Sequence, residues 1–249
     1  ARESQRRATV RFQPASMSLQ TVPGTGFGLL MIDFQRDFCS PGGYSDHCGG
    51  LDWVTPILPP AKRLLAAARQ TGVFVAHTRE GYAADLSDLS PVRRERSRAA
   101  GAEYGSEGPL GRFMIRGEYG HDIIDDLYPP PHEPIIDKNT YGVFARSDHE
   151  KILRRAGVKN LAMAGVTADV CVHTTLREAT DRGFDCYYVR DAISTFDPRI
   201  RNACERMIEQ EGGIWGTLIT VAEMVRLWDN LLQTRKPFLG SSETLIAGK

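Results

Sequence analysis

Asn160-Leu161-Ala162-Met163-Ala164-Gly165-Val166-Thr167-Ala168-Asp169-Val170-Cys171-Val172-His173-Thr174-Thr175 is the stretch on which the fold turns. It opens with a short apolar run closed by Gly165, which reads as a core strand ending in a turn. From Ala168 onward, Val172, Thr175, Leu176 and Ala179 recur at helical spacing, so a helix is expected from about Asp169 to about Arg182. Cys171 then falls in the first helical turn. There, unpaired backbone N–H groups and the positive end of the helix dipole favour thiolate over thiol and can hold an oxyanion. The same residue reads equally well as a structural thiol, because free cysteine is among the most buried residue types.

Two further strand ends bear on that choice. Phe27-Gly28-Leu29-Leu30-Met31-Ile32 reads as a strand with Asp33 directly behind it, and Pro134-Ile135-Ile136-Asp137 as another followed by Lys138. A carboxylate after a strand serves as a turn cap or as a catalytic group, and a lysine there is most often plain surface. In an open α/β sheet, however, ligands bind outside the carboxyl ends of the strands, where Asp33, Lys138 and Cys171 can converge.

The rest of the chain alternates in the same manner. Helices are expected at about 61–70, 148–156 and 200–210 and from about Val221, with strands at 73–76, 186–189 and 213–216. This repetition predicts an α/β, Rossmann-like three-layer sandwich, a six-stranded parallel sheet with helices on both faces. One domain is expected over 21–232, between a disordered extension at 1–20 and a loose tail at 233–249. The segment 79–120 breaks the alternation just past the second strand and reads as a lid or binding insertion. Gly24-Thr25-Gly26-Phe27-Gly28 precedes its strand, whereas a dinucleotide fingerprint follows one, so no nucleotide cofactor is expected.

The 31 basic and 31 acidic side chains balance, which argues against a broad nucleic-acid or membrane surface. The arginines at 93, 94, 96 and 98 lack interleaved aromatics and read as a solvated helix face or an oligomer contact. Five cysteines without a CxxC pair suit a reduced, cytoplasmic setting better than a disulfide framework.

Asp33, Lys138 and the Gly-Val-Thr-x-x-x-Cys turn, together with Met31-Ile32-Asp33-Phe34-Gln35-Arg36-Asp37-Phe38-Cys39, Pro41-Gly42-Gly43-Tyr44 and His77-Thr78-Arg79-Glu80-Gly81, resemble the isochorismatase-like cysteine hydrolases over roughly residues 27–225. Within that family the chain is similar to the biuret and triuret hydrolases, with ureidoacrylate amidohydrolases and N-carbamoylsarcosine amidases nearby. The resemblance implies a cofactor-independent amidohydrolase acting on a small ureide or amide. Cys171 would attack a carbonyl carbon bearing nitrogen to give a thioester-like intermediate, Asp33 would carry the proton, and Lys138 would offset the negative charge. It also implies an oxyanion hole from the backbone N–H groups of Thr167 and Cys171, with a cis peptide at Val166–Thr167, and a homo-oligomer, tetrameric by analogy. Nicotinamidases of the family carry an Asp-x-His metal signature that is not reproduced after His77, so no metal is expected.

Phe34, Gln35, Phe38, Tyr141 and Phe144 are placed to line a small, partly aromatic pocket, with Arg79 and Arg112 as candidates for carbonyl or carboxylate groups. Glu211 stands where the biuret branch implies a glutamine before Gly212-Gly213, which favours substrates offering several N–H groups and weakens the assignment to biuret itself. The competing readings are a nicotinamidase-like amidase, a non-catalytic binding fold and a redox-sensing thiol. His173, two residues from Cys171 on a helix, is not expected to reach the sulfur.

Overall fold

Leu29 and Met31 point to one apolar cluster and Leu30 and Ile32 to another, so the first strand is buried on both faces, as a central parallel strand must be. The structure, a computed structural model, describes residues 25–146 and 148–234; the expected extension at 1–20 and nearly all of the tail lie outside the described residues. The elements run β1 (Phe27–Ile32), α1 (Arg36–Cys39), α2 (Tyr44–Gly49), α3 (Leu58–Thr71), β2 (Phe74–Glu80), α4 (Pro91–Ala99), β3 (Glu107–Gly108), β4 (Gly111–Arg112), β5 (Ile135–Lys138), α5 (His149–Arg155), β6 (Asn160–Val166), α6 (His173–Asp181), β7 (Asp185–Ser194), α7 (Pro198–Glu209), β8 (Thr217–Ile219) and α8 (Val221–Gln233).

The main sheet has six strands in the order β5-β2-β1-β6-β7-β8, all parallel. This is the α/β three-layer architecture expected from the alternation. Ala61, Leu64, Leu65 and Ala68 of α3 pack with Met224 and Trp228 of α8 on one face. Leu153 of α5, Leu176 and Ala179 of α6 and Ile208 of α7 cover the other. Local sequence sets the helix ends. Asp197 caps α7 ahead of Pro198, Thr220 and Glu223 form a capping box at α8, and α3 stops at Gly72 in the left-handed region.

Three sequence expectations change in detail. β2 runs on to Glu80, and β7 reaches Ser194 through a register irregularity opposite Met163 and Gly165. The strand expected at 213–216 is instead a turn: Gln210–Gly212 is 3-10 helical, Gly213 is left-handed at φ 83°, and the edge strand begins at Thr217. The third change concerns the helix carrying Cys171. It opens with a π turn at Ala168–Val172 before α6 becomes α-helical at His173.

The strand order reverses between β1 and β6, and such a switch point opens a crevice at the carboxyl ends. β6 runs against β1 there with Ile32 opposite Gly165. A Cβ on Gly165 would lie 2.1 Å from the Ile32 carbonyl oxygen, so only glycine permits this approach. The chain between β2 and β5 carries α4 and the β3–β4 hairpin and is tied down at this end. The Tyr82 and Met114 backbones bond at 2.9 Å, and the Asp37 carboxylate accepts the Met114 N–H at 2.9 Å.

Candidate active site

Four adjacent strand ends each deliver one reactive group. Asp33 follows β1, Glu80 ends β2, Lys138 ends β5, and Cys171 sits in the turn after β6. Parallel register sets Glu80 directly opposite Lys138 and Ile32 opposite Thr78. Asp33, in the left-handed region at φ 55°, donates its N–H to the Thr78 carbonyl at 3.2 Å, and its Oδ1 accepts from the Thr78 hydroxyl at 2.6 Å.

All four groups are buried, with exposures of 0% for Asp33, 2% for Glu80, 4% for Lys138 and 3% for Cys171. The Lys138 ammonium is the hub. It donates to Asp33 Oδ2 at 2.7 Å, to the Thr140 carbonyl at 3.1 Å and toward Cys171 Sγ at 3.6 Å, and it lies 3.7 Å from Glu80 Oε2. The Cys171 thiol donates to Glu80 Oε2 at 3.2 Å. An oxygen from each carboxyl and the sulfur all lie within 4.8 Å of one another, a donor set suited to a cation, and the cation that it surrounds is the Lys138 ammonium.

Burial alone would lower the proton affinity of Lys138, but Asp33, Cys171 and Glu80 more than offset it, so the amine is held firmly as ammonium. Burial pushes Glu80 above the usual carboxylate range; Lys138 opposes the rise and Asp33 adds to it. Burial also pushes the Cys171 thiol well above its ordinary value, with Lys138 opposing and both carboxyls adding. Desolvation therefore outweighs the helix-terminus effect expected from sequence, and the resting sulfur is a thiol. The Val166–Thr167 peptide bond is cis.

Tyr141 and Phe144 belong to the apolar cluster that contains Cys171. Phe34 and Phe38 belong to the cluster on the other face, where Phe38 meets Tyr44 edge-on at 6.2 Å. Gln35 is buried and spent on backbone: its Oε1 accepts the Glu80 N–H at 2.7 Å and its Nε2 donates to the Glu80 and His121 carbonyls, both at 2.9 Å. Arg79 lies on the strand next to Glu80, so its side chain faces the other way. It is engaged by Asp137 at 2.7 Å and 3.0 Å and by Asp122 at 2.7 Å. Arg112 donates to the carbonyls of Gly105 and Ala84. Glu211 is exposed in the turn that feeds the amino end of β8, across the sheet from the cluster. The structure thus brings Asp33, Lys138 and Cys171 together, turns Arg79 away toward Asp137 and Asp122, sets Glu211 at the other end of the sheet, and commits Arg112 to backbone carbonyls. His173 Nδ1 accepts from Arg177 at 3.0 Å, away from the sulfur.

Glu80 is the member that sequence reasoning missed. Its signal lay within His77-Thr78-Arg79-Glu80-Gly81, a stretch that carries the family resemblance; the apolar run there stops at Ala76, and the strand continues through polar residues to Glu80.

The family model of the isochorismatase domain matches residues 27–222, which spans the whole sheet and all four groups. The chain belongs to the isochorismatase family. Among curated relatives of this isochorismatase-family chain, ureidoacrylate amidohydrolase RutB of Azorhizobium caulinodans is 26% identical over 222 residues, covering 87% of this chain and 94% of that protein. RutB of Pantoea ananatis is 27% identical over 160 residues, 60% of this chain, and the match spans 62% of the relative's length. In solved structures, a cysteine hydrolase from Pseudomonas syringae superposes with a TM-score of 0.71 at 23% identity, covering 82% of this chain and 93% of that one. An N-carbamoylsarcosine amidase from Thermoplasma acidophilum superposes at 0.60 and 20% identity, covering 79% and 97%. These two likenesses establish the shared fold.

Proposed function

We propose that this isochorismatase-family chain is a cysteine amidohydrolase that cleaves a C–N bond of a small carbamoyl or ureido compound, of the biuret, triuret or ureidoacrylate type. The observation that carries the reading is the Cys171 sulfur, buried at the switch point between an ammonium at 3.6 Å and a carboxylate at 3.2 Å. A structural thiol needs neither neighbour. The names of the amidohydrolase relatives support the same class of reaction.

In this reading the thiol proton passes to the carboxyl pair that shares Lys138 as sulfur attacks the substrate carbonyl. The backbone N–H groups of Thr167 and Cys171 receive the oxyanion, an interaction worth about 3 kcal/mol of barrier per donor. Lys138 keeps the negative charge of thiolate and carboxylates from accumulating. Collapse expels ammonia or an amine, and water then hydrolyses the thioester-like intermediate. Tyr141, with the Arg93 guanidinium over its ring at 4.0 Å, and Phe144, stacked on Phe184 at 5.9 Å, form part of the apolar surroundings of the sulfur. A redox-sensing role fits less well, because sensor thiols are exposed and readily ionised whereas Cys171 is neither. The reading includes a homo-oligomer, tetrameric by analogy, supported by the exposed apolar side chains Ile200, Met207 and Ile214.

Ammonia release from biuret, triuret, ureidoacrylate, N-carbamoylsarcosine and nicotinamide tests the proposal, with Cys171→Ser as the comparison. Turnover of a ureide that falls at least a thousandfold in the variant is expected. Turnover on nicotinamide alone, or turnover that survives the substitution, refutes it.

A further inference from the structure

Glu80 lies outside the three-residue pattern by which the site was read, yet its Oε2 accepts a hydrogen bond from the thiol. The resting cluster holds two carboxyls, one ammonium and one thiol, so the two carboxyls share a single cation, and Asp33 at 2.7 Å sits closer to it than Glu80 at 3.7 Å. Both Asp33 oxygens are engaged: Oδ2 takes the Lys138 ammonium at 2.7 Å and Oδ1 the Thr78 hydroxyl at 2.6 Å. Glu80 Oε1 accepts from the Tyr82 hydroxyl at 3.2 Å, which in turn accepts from Arg93 at 3.0 Å. Oε2 is thereby left facing the thiol at 3.2 Å. Gln35 clamps the Glu80 peptide from both sides, so the carboxyl is held on a fixed backbone.

Moving the thiol proton across that contact leaves the net charge of the buried cluster unchanged. It places a thiolate beside the ammonium and neutralises the carboxyl that lies farther from that ammonium. We propose that Glu80 is a catalytic residue, the proton-carrying carboxyl of the first half-reaction, and that Asp33 fixes Lys138. This inference rests on Cys171 being the nucleophile. The S–H proton goes to Glu80 Oε2 as the sulfur pair forms the C–S bond and the carbonyl π pair moves onto oxygen. When the carbonyl re-forms, the C–N bond breaks and the departing nitrogen takes the proton from Glu80, which returns to carboxylate. In the second half, water gives a proton to the carboxyl pair as its oxygen bonds to carbon, the C–S bond breaks, and sulfur recovers that proton. Burial raises both the carboxyl and the thiol, and a carboxyl lifted toward its donor is the better proton acceptor.

The test reads the thiol directly and needs no substrate. The rate of iodoacetamide alkylation is followed against pH in the wild type and in Glu80→Gln, with the Cys171→Ser rate subtracted for the other cysteines. A proton shared between sulfur and Glu80 gives the wild type an acidic limb in its rate profile. Glu80→Gln is expected to remove that limb and slow alkylation at pH 6 at least tenfold, while Glu80→Asp keeps a displaced limb. If Glu80 acted only through its charge, the glutamine would instead lower the thiol's proton affinity and speed alkylation. Faster alkylation, or a profile within twofold of the wild type at every pH, overturns the proposal. On any ureide that is turned over, Glu80→Gln should lower kcat by about 10²–10⁴-fold with KM nearly unchanged, and a loss under threefold also overturns it. Should the glutamine variant fail to fold, Tyr82→Phe removes the donor to Oε1 and must shift the acidic limb upward; an unmoved limb counts against Glu80. A silent ureide panel together with a lost acidic limb would sink the amidohydrolase reading and leave the proton role of Glu80 standing.

Discussion

Lys138→Met tests whether the buried ammonium holds the cluster together. Methionine keeps an unbranched apolar stem and removes the charge at a side chain that is only 1% exposed. The variant leaves the carboxyls of Asp33 and Glu80, 0% and 3% exposed as side chains, without their shared cation. Breaking a buried pair by removing one partner costs about 3–5 kcal/mol. For a chain of this size that corresponds to a melting point lower by roughly 6–20 °C. The loss also has a pH signature. Burial already holds Glu80 above its unfolded value, and Lys138 is the chief force opposing that rise, so its removal lifts Glu80 further. A carboxyl raised in the fold binds its proton more tightly folded than unfolded. Its stabilising contribution is therefore complete below the ordinary carboxylate value and is lost as pH climbs through the folded one. The melting deficit of Lys138→Met should accordingly be smallest near pH 5 and largest near pH 8. Thermal melts followed by circular dichroism across that range measure it. Parallel melting curves, or a deficit under 2 °C at pH 8, would refute the claim that the ammonium is what makes these buried carboxylates tolerable.

Three more outcomes follow from named contacts. Gly165→Ala should cost about 4 kcal/mol or more in urea unfolding, since its Cβ would sit 2.1 Å from the Ile32 carbonyl oxygen and neither strand can move without breaking the sheet. Arg79→Ala should leave KM on a turned-over ureide unchanged within twofold and lower stability by about 1 kcal/mol, because its partly exposed guanidinium serves Asp122 and Asp137 rather than a ligand; a tenfold rise in KM would return Arg79 to the substrate. Burial pushes Asp37 up to about 6, against the backbone N–H groups of Met114 and Tyr44. Its stabilising contribution is thus full below about pH 4 and lost as pH rises through about 6, so wild type relative to Asp37→Asn should lose about 2–3 kcal/mol between pH 4 and 7 in denaturant titrations.

The part of this protein that its sequence determines is the part written in local patterns. Apolar runs closed by Gly, Asp or Lys mark strand ends, and helical spacing after Cys171 marks the following turn, so Asp33, Lys138 and Cys171 could be assigned to one sheet edge before any contact was known. The helices expected at 61–70, 148–156 and 200–210 and from Val221 start and stop within three residues of α3, α5 and α7 and of the start of α8, because helical spacing is likewise a local pattern. What only the tertiary structure decided is which polar atoms are already satisfied and which edge of the sheet a loop occupies. Strand alternation and pairing with Lys138 turned Glu80 toward the sulfur and Arg79 toward Asp137. Gln35 looked like a ligand group until the Glu80 backbone was seen to consume its amide. Glu211 looked like one until the turn after α7 was placed at the amino end of β8. The thiol itself followed the same rule: its place in a helical turn is local, but desolvation by four converging strand ends sets its proton affinity, and that burial exists only once residues far apart in the chain have packed together.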